Sequence, residues 1–365
     1  MMSAQLYAPV FLYSVIIFTI ISCLNLQSAS YQRIQKGEHN FIFALLITIL
    51  FAIWIGLRPS SPWFGDSYFY AHTFNSIKLG IFTSAANESE WVWNNFTTFC
   101  AKRYDVSIYF LLISLAYFGF SLLSAKLLTP NNVLVTLLFI LGSFSFYSYG
   151  TNGLRNGLGC SITLVAISFL VNNRKNLIFA IVFSLLAVNI HRSTMLPIMT
   201  LFASLYVVKK FKWAYTFWLA SIILSLIAGG AIGNFFAALG FDDRVSYITN
   251  TAEADQFSHT GFRWDFLVYS MMPIILGYYV IIKKGIEDKS YNLLLNTYTL
   301  ANAFWVMIIR ASFSNRFAYL SWFMYPVVLA YPLIKLNIWG SNQGKNTAAI
   351  MIGHVGFTWF MNTIY

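Results

Sequence analysis

The chain carries little charge and very little acid: 12 Asp and Glu against 23 Lys and Arg in 365 residues, with charged residues 10% of the total. A soluble globule has roughly a quarter of its residues charged, so that class is excluded. Cysteine is equally sparse. Cys23 and Cys160 lie in apolar runs and Cys100 has no evident partner, so neither a disulfide framework nor a thiolate metal site follows. The apolar runs do not alternate with polar residues, which excludes a membrane barrel. There is no P-loop, no His-Glu-x-x-His, no Asp-x-Asp and no Gly-x-Ser-x-Gly elbow to anchor nucleotide, zinc or serine-hydrolase chemistry. Asp242 and Asp243 are adjacent loop carboxylates, better suited to a solvated turn than to a metal. The N-terminus lacks a basic n-region and an Ala-x-Ala cleavage signal, so residues 7–25 are taken as a retained span.

What the chain has is apolar and aromatic: 58% hydrophobic residues, 19% aromatic, and a mean hydropathy of +0.65. Runs near the ~20 residues needed to cross a bilayer recur along its length. They predict an all-α, polytopic transmembrane bundle of about 12 spans forming a single integral membrane domain over 1–365. The expected spans are 7–25, 41–57, 106–128, 131–149, 157–171, 176–190, 193–208, 213–233, 264–282, 290–309, 317–335 and 347–365. Two connections, about 58–105 and 234–263, are longer than connectors need. In the first, Trp91, Val92, Phe96, Phe99 and Cys100 recur at helical spacing, predicting a short amphipathic helix along the membrane surface.

The basic residues segregate. Short Lys-rich loops (Lys209, Lys210 and Lys212; Lys283 and Lys284) mark the cytoplasmic face. Arg58, Arg103, Arg155, Arg192, Arg244, Arg263, Arg310 and Arg316 then fall on the opposite face, against the usual bias. Arginines gathered there predict a grip on something anionic. Basic residues scattered among loops, rather than forming a stripe, argue against nucleic acid; for the lysines, contact with anionic lipid suffices.

Four outward elements concentrate polar chemistry. The first runs from Gly56 through Arg58, Pro59, Pro62, Gly65 and Asp66 to Tyr68. Its prolines stop the helix, and an Arg58–Asp66 pair closing the loop is an alternative to a functional role. The second is Asn152-Gly-Leu-Arg155-Asn156-Gly157, which puts an arginine at a helix N-terminus; that position is unfavourable for a cation unless an anion accompanies it. The third is His191-Arg192-Ser193 at a membrane boundary, where ionisable groups are functional more often than not. The fourth is Arg310 through Asn315 to Arg316, whose guanidinium forks match phosphate oxygens.

In this order and spacing the chain resembles the Wzy/EpsG-type bacterial polysaccharide polymerases. The likeness rests on Gly56-Leu57-Arg58 with Gly65-Asp66-Ser67 and Tyr68, on Leu154-Arg155-Asn156-Gly157-Leu158, on His191-Arg192-Ser193, and on Ser314-Asn315-Arg316-Phe317 entering a span with Pro326 and Pro332. Many relatives have an aromatic where this chain has Arg192, which leaves that residue to substrate or to lipid headgroups. The resemblance implies a glycosyltransferase of the bacterial inner (cytoplasmic) membrane. It would join oligosaccharide repeat units carried on undecaprenyl diphosphate at the periplasmic face, making both long loops periplasmic. A chain-length regulator protein would be a partner, and no cofactor or metal is needed. Arg58, Arg155, Arg192, Arg310, Arg316, Asn315 and Tyr68 would bind diphosphate and sugar, and His191 or Asp66 would take the acceptor proton. The alternatives are a GT-C-like polyprenyl-phosphate-sugar transferase, an O-antigen ligase differing only in its acceptor, and a lipid-linked oligosaccharide flippase. The last predicts buried charge at mid-span, which these spans barely contain.

Overall fold

The computed structural model describes residues 3–37, 40–81, 89–238, 261–310 and 314–363, without side chains at 233–238 and 314–315. Every regular element among them is helical. Six helices are long and apolar enough to cross a membrane: Ala4–Leu26, Val106–Leu128, Leu154–Asn172, Phe211–Ile232, Trp264–Lys283 and Arg316–Lys335; Phe41–Gly56 is a shorter apolar helix.

Length alone therefore does not carry the expected twelve. Residues 131–149 form two short helices rather than one span, and the reason is tertiary. Thr358 Oγ1 donates to the Gly142 carbonyl at 2.7 Å, and a Cβ on Gly142 would lie 2.6 Å from Val355 Cγ2. A neighbouring helix presses on the break and takes a carbonyl that a continuous helix would have used itself. The expected spans at 176–190 and 193–208 are helices of 14 and 12 residues.

The chain forms two compact units, Met1–Arg192 with Leu329–Tyr365, and Ser193–Val328. The first contains α1 (Tyr7–Leu26), α2 (Tyr31–Lys36), α3 (Phe41–Gly56), α4 (Asp66–Lys78), α5 (Trp91–Ala101), α6 (Val106–Leu128), α7 (Val133–Leu141), α8 (Phe146–Thr151), α9 (Leu154–Asn172) and α10 (Leu177–Ile190). At its core is α9, buried on nearly every face and packed against α6, α8 and α10. A helix apolar all round belongs in an interior. Close approaches are made at glycines: a Cβ on Gly56 would stand 2.7 Å from the Leu111 Cα where α3 crosses α6, and one on Gly157 would stand 2.3 Å from the Tyr149 carbonyl oxygen.

The second unit holds α11 (Met195–Tyr206), α12 (Phe211–Ala238), α13 (Trp264–Tyr278), α14 (Lys289–Met307), α15 (Ser314–Trp322) and the start of α16 (Tyr325–Lys335); the rest of α16 and α17 (Gln343–Thr363) return to the first unit. Its central helix, α14, buries polar groups, several of which satisfy one another or neighbouring carbonyls. Asn302 accepts from Trp218 Nε1 at 2.8 Å and donates to Ser321 Oγ at 3.0 Å, and Tyr298 donates to the Ser270 carbonyl at 2.7 Å. Away from water such groups must find one another, which also fixes the register of the helices.

Candidate active site

One end of the first unit is built from the end of α3, the starts of α4 and α5, the head of α9 and the end of α10. There the Glu90 carboxylate is the meeting point. Its Oε2 accepts from Arg155 Nη1 at 2.6 Å, and its Oε1 lies 3.0 Å from His191 Nδ1 and accepts the Arg192 main-chain N–H at 2.8 Å. The side chains of Glu90 and His191 are 10% and 3% exposed. Burial opposes ionisation of Glu90, but the His191 hydrogen bond and the Arg155 charge outweigh it and hold the carboxyl below its usual range.

Local structure explains each position. Glu90 precedes α5 and has left-handed backbone (φ 67, ψ 41), which costs a non-glycine residue roughly 1–2 kcal/mol. Short polar side chains at a helix start commonly bond that helix's own N–H groups; the longer Glu90 side chain makes no such bond and turns to α9 and α10 instead. Arg155 stands in the first turn of α9, where Gly157 lets the preceding chain fold tightly back. His191 ends α10 in extended backbone (φ −150, ψ 114), its N–H donating to the Ala187 carbonyl at 2.8 Å. A short 3₁₀ turn, Arg192–Thr194, then leads to α11.

Asp66 is tied to the same end through Asn152, whose Oδ1 accepts the Asp66 main-chain N–H at 2.7 Å. Gly65, just before it, adopts φ 58, ψ −126 and lies against that amide. The Asp66 side chain is half-buried in the first turn of α4, Tyr68 is 45% exposed beside Phe69, and the Arg192 side chain is exposed.

Arg58 points inward instead. It is 2% exposed, donates to the carbonyls of Ile55 and Thr151 at 3.0 Å each, and packs its guanidinium over Phe110 and Phe64. Burial lowers its pKa to about 10, which still leaves it charged at neutral pH. Its surroundings make it a clamp joining the end of α3 to the turn before α9. Arg310 and Arg316 belong to the second unit. Arg310 is exposed, with its guanidinium 5.9 Å from the Phe262 ring, and Arg316 is half-buried at the start of α15. The Asn315 side chain lies outside the described residues, as do Asp242, Asp243 and Arg244.

Glu90 is the residue that motif and spacing missed. It stands 65 residues from Arg155 and 101 from His191. The available signal was scarcity: the loop 58–105 holds only Asp66, Glu88, Glu90 and Asp105 as acids. Of these, Glu90 directly precedes the aromatic helix α5. No group of three or more His, Cys, Asp or Glu suited to a metal occurs among the described residues.

Fold and site together define a helical integral membrane protein with a carboxylate–histidine–arginine cluster at the ends of its helices. The EpsG family model matches residues 41–365, and the chain belongs to that family. Membership suggests a role as a polysaccharide polymerase, a glycosyltransferase-like activity. Comparison with curated proteins and with solved structures gives no significant match.

Proposed function

We propose that this protein polymerises oligosaccharide repeat units carried on undecaprenyl diphosphate, at the periplasmic face of the bacterial inner membrane. The observation that carries this reading is the convergence of Arg155 and His191, from different helices, at one buried carboxylate. A lipid-diphosphate sugar needs little from the enzyme at its leaving group, because the diphosphate departs readily. It needs cations to stabilise the charge that develops as the glycosidic C–O bond breaks, commonly the largest catalytic contribution. We assign this role to Arg155. One of its N–H groups goes to Glu90, and among the described residues its buried Nε–H meets no hydrogen-bond partner; a guanidinium has five such donors in all. Arg192, with its exposed side chain, we also assign to the diphosphate; Arg310 and Arg316 we assign to phosphate from their sequence pattern alone.

The acceptor sugar hydroxyl must lose a proton as it attacks the anomeric carbon. His191 or Asp66 takes it, a contribution of roughly 10²–10⁴-fold. Tyr68 and the neighbouring exposed rings of Trp63 and Phe69 suit the flat faces of sugars. Arg58 we assign to support of the site. The test is incubation of the purified protein with a lipid-diphosphate oligosaccharide, without metal or nucleotide. A ladder of products differing by one repeat unit is expected. Unchanged substrate, or a single addition only, overturns the polymerase reading.

A further inference from the structure

We propose that Glu90 is the positioning residue of this site: its Oε1 holds the Nδ1–H of His191, so that the ring's basic lone pair sits on Nε2, while its Oε2 holds Arg155 alongside. This rests on the polymerase reading and deepens it, because it selects His191 rather than Asp66 as the proton acceptor.

A neutral imidazole carries one N–H and one lone pair, and the partner of one nitrogen decides the role of the other. A carboxylate only accepts, so at 3.0 Å it requires the proton on Nδ1. The Arg192 N–H on the same oxygen fixes the carboxylate's angle to the ring. If Glu90 served only to neutralise Arg155, neither contact would be needed. If it served only as a cap for α5, its carboxylate would bond that helix, and it does not. The strained backbone at Glu90 is what directs the side chain away from its own helix and into the cluster. Among the described residues the charged groups facing the cluster include Arg155 from α9 and Arg192 after α10, and Tyr109 from α6 lies within electrostatic reach of Arg155.

In the reaction, the acceptor hydroxyl proton passes to His191 Nε2 as its oxygen bonds the anomeric carbon. The bond from that carbon to the diphosphate oxygen breaks, and the lipid diphosphate leaves with the electron pair. The imidazolium formed faces the negative Glu90, and after product release it returns its proton to water.

The test uses the full chain in lipid nanodiscs, with ¹⁵N-labelled histidine and Glu90→Gln and Glu90→Asp variants. The His191 signals are assigned by their loss in His191→Gln. A nearby carboxylate favours the charged imidazole, so removing it favours the neutral ring. In the wild type we expect His191 as the Nδ1–H tautomer; in Glu90→Gln we expect a mixed tautomer and a midpoint moved down. Coupling of lipid-diphosphate oligosaccharide should fall about 10²-fold in Glu90→Gln, in the range of general-base contributions. The acid limb of its pH profile should move to lower pH, and Glu90→Asp should recover part of the rate. A merely structural role would lower the rate without moving the limb. His191 signals and pH limb unmoved by Glu90→Gln overturn the proposal, even if polymer still forms. A wild type that shows the expected tautomer but makes no polymer overturns the polymerase reading and leaves the Glu90–His191 assignment standing.

Discussion

Gly65→Ala tests the local geometry that ties Asp66 to the head of α9. At φ 58, ψ −126 the backbone is one that residues with a Cβ rarely adopt, at a cost of about 1–3 kcal/mol. The new methyl would also stand 2.6 Å from Asn152 Oδ1 and 2.8 Å from its Cγ. Those atoms end a flexible side chain, so Asn152 can swing aside, but it then gives up its 2.7 Å bond to the Asp66 N–H. A lost hydrogen bond of this kind costs about 1 kcal/mol. The sum is a destabilisation of about 2–4 kcal/mol. Asn152→Ala alone should cost about 1 kcal/mol. Because both changes break the same bond, the double variant should be less destabilised than the sum of the singles, by about 1 kcal/mol. Equilibrium unfolding in mixed micelles, followed by tryptophan fluorescence, measures all three variants. A Gly65→Ala protein within about 0.5 kcal/mol of wild type, or strict additivity in the double variant, would refute this account of the turn.

Three further outcomes are expected. Glu90 ionises below the usual carboxylate range, so its tie is fully present above the unfolded value of about 4.3 and is lost as pH falls through the lower folded value. Protection of the first amides of α5 from hydrogen exchange, relative to their intrinsic rates, should stay flat between about pH 7 and 5 and fall only below about 4, whereas a loss of protection in the upper range contradicts it. Arg58→Ala removes a buried cation with two carbonyl bonds and two ring contacts, and should cost about 3 kcal/mol or more. A thermal midpoint within about 2 °C of wild type would deny it the clamp role. His191→Ala and Arg316→Ala should abolish polymer in cells while membrane levels of the protein hold; wild-type-length glycan from both removes them from the site.

The helices were legible where one physical signal dominated. A continuous apolar run bounded by Asp105 and Thr129 gave 106–128, and the helix found is Val106–Leu128. The spacing of Trp91, Val92, Phe96, Phe99 and Cys100 gave α5, found as Trp91–Ala101. The break after Leu141 was not legible, because its cause lies about 215 residues away in Val355 and Thr358. Arg58 shows the same limit: its neighbours in sequence suggest an exposed loop cation, and only the Thr151 carbonyl and the Phe110 ring reveal a buried one. His191 and Arg155 were readable as ionisable groups at membrane boundaries. Their common partner was not, since a glutamate in a polar loop looks like any solvated acid until the chain closes on it.

The most direct measurement is a structure of the protein with a lipid-diphosphate oligosaccharide bound. The diphosphate oxygens should lie within hydrogen-bond distance of the Arg155 guanidinium, with the ring of His191 facing the sugar's anomeric carbon. Diphosphate density held elsewhere on the protein, with Arg155 and His191 both remote from it, would contradict this arrangement.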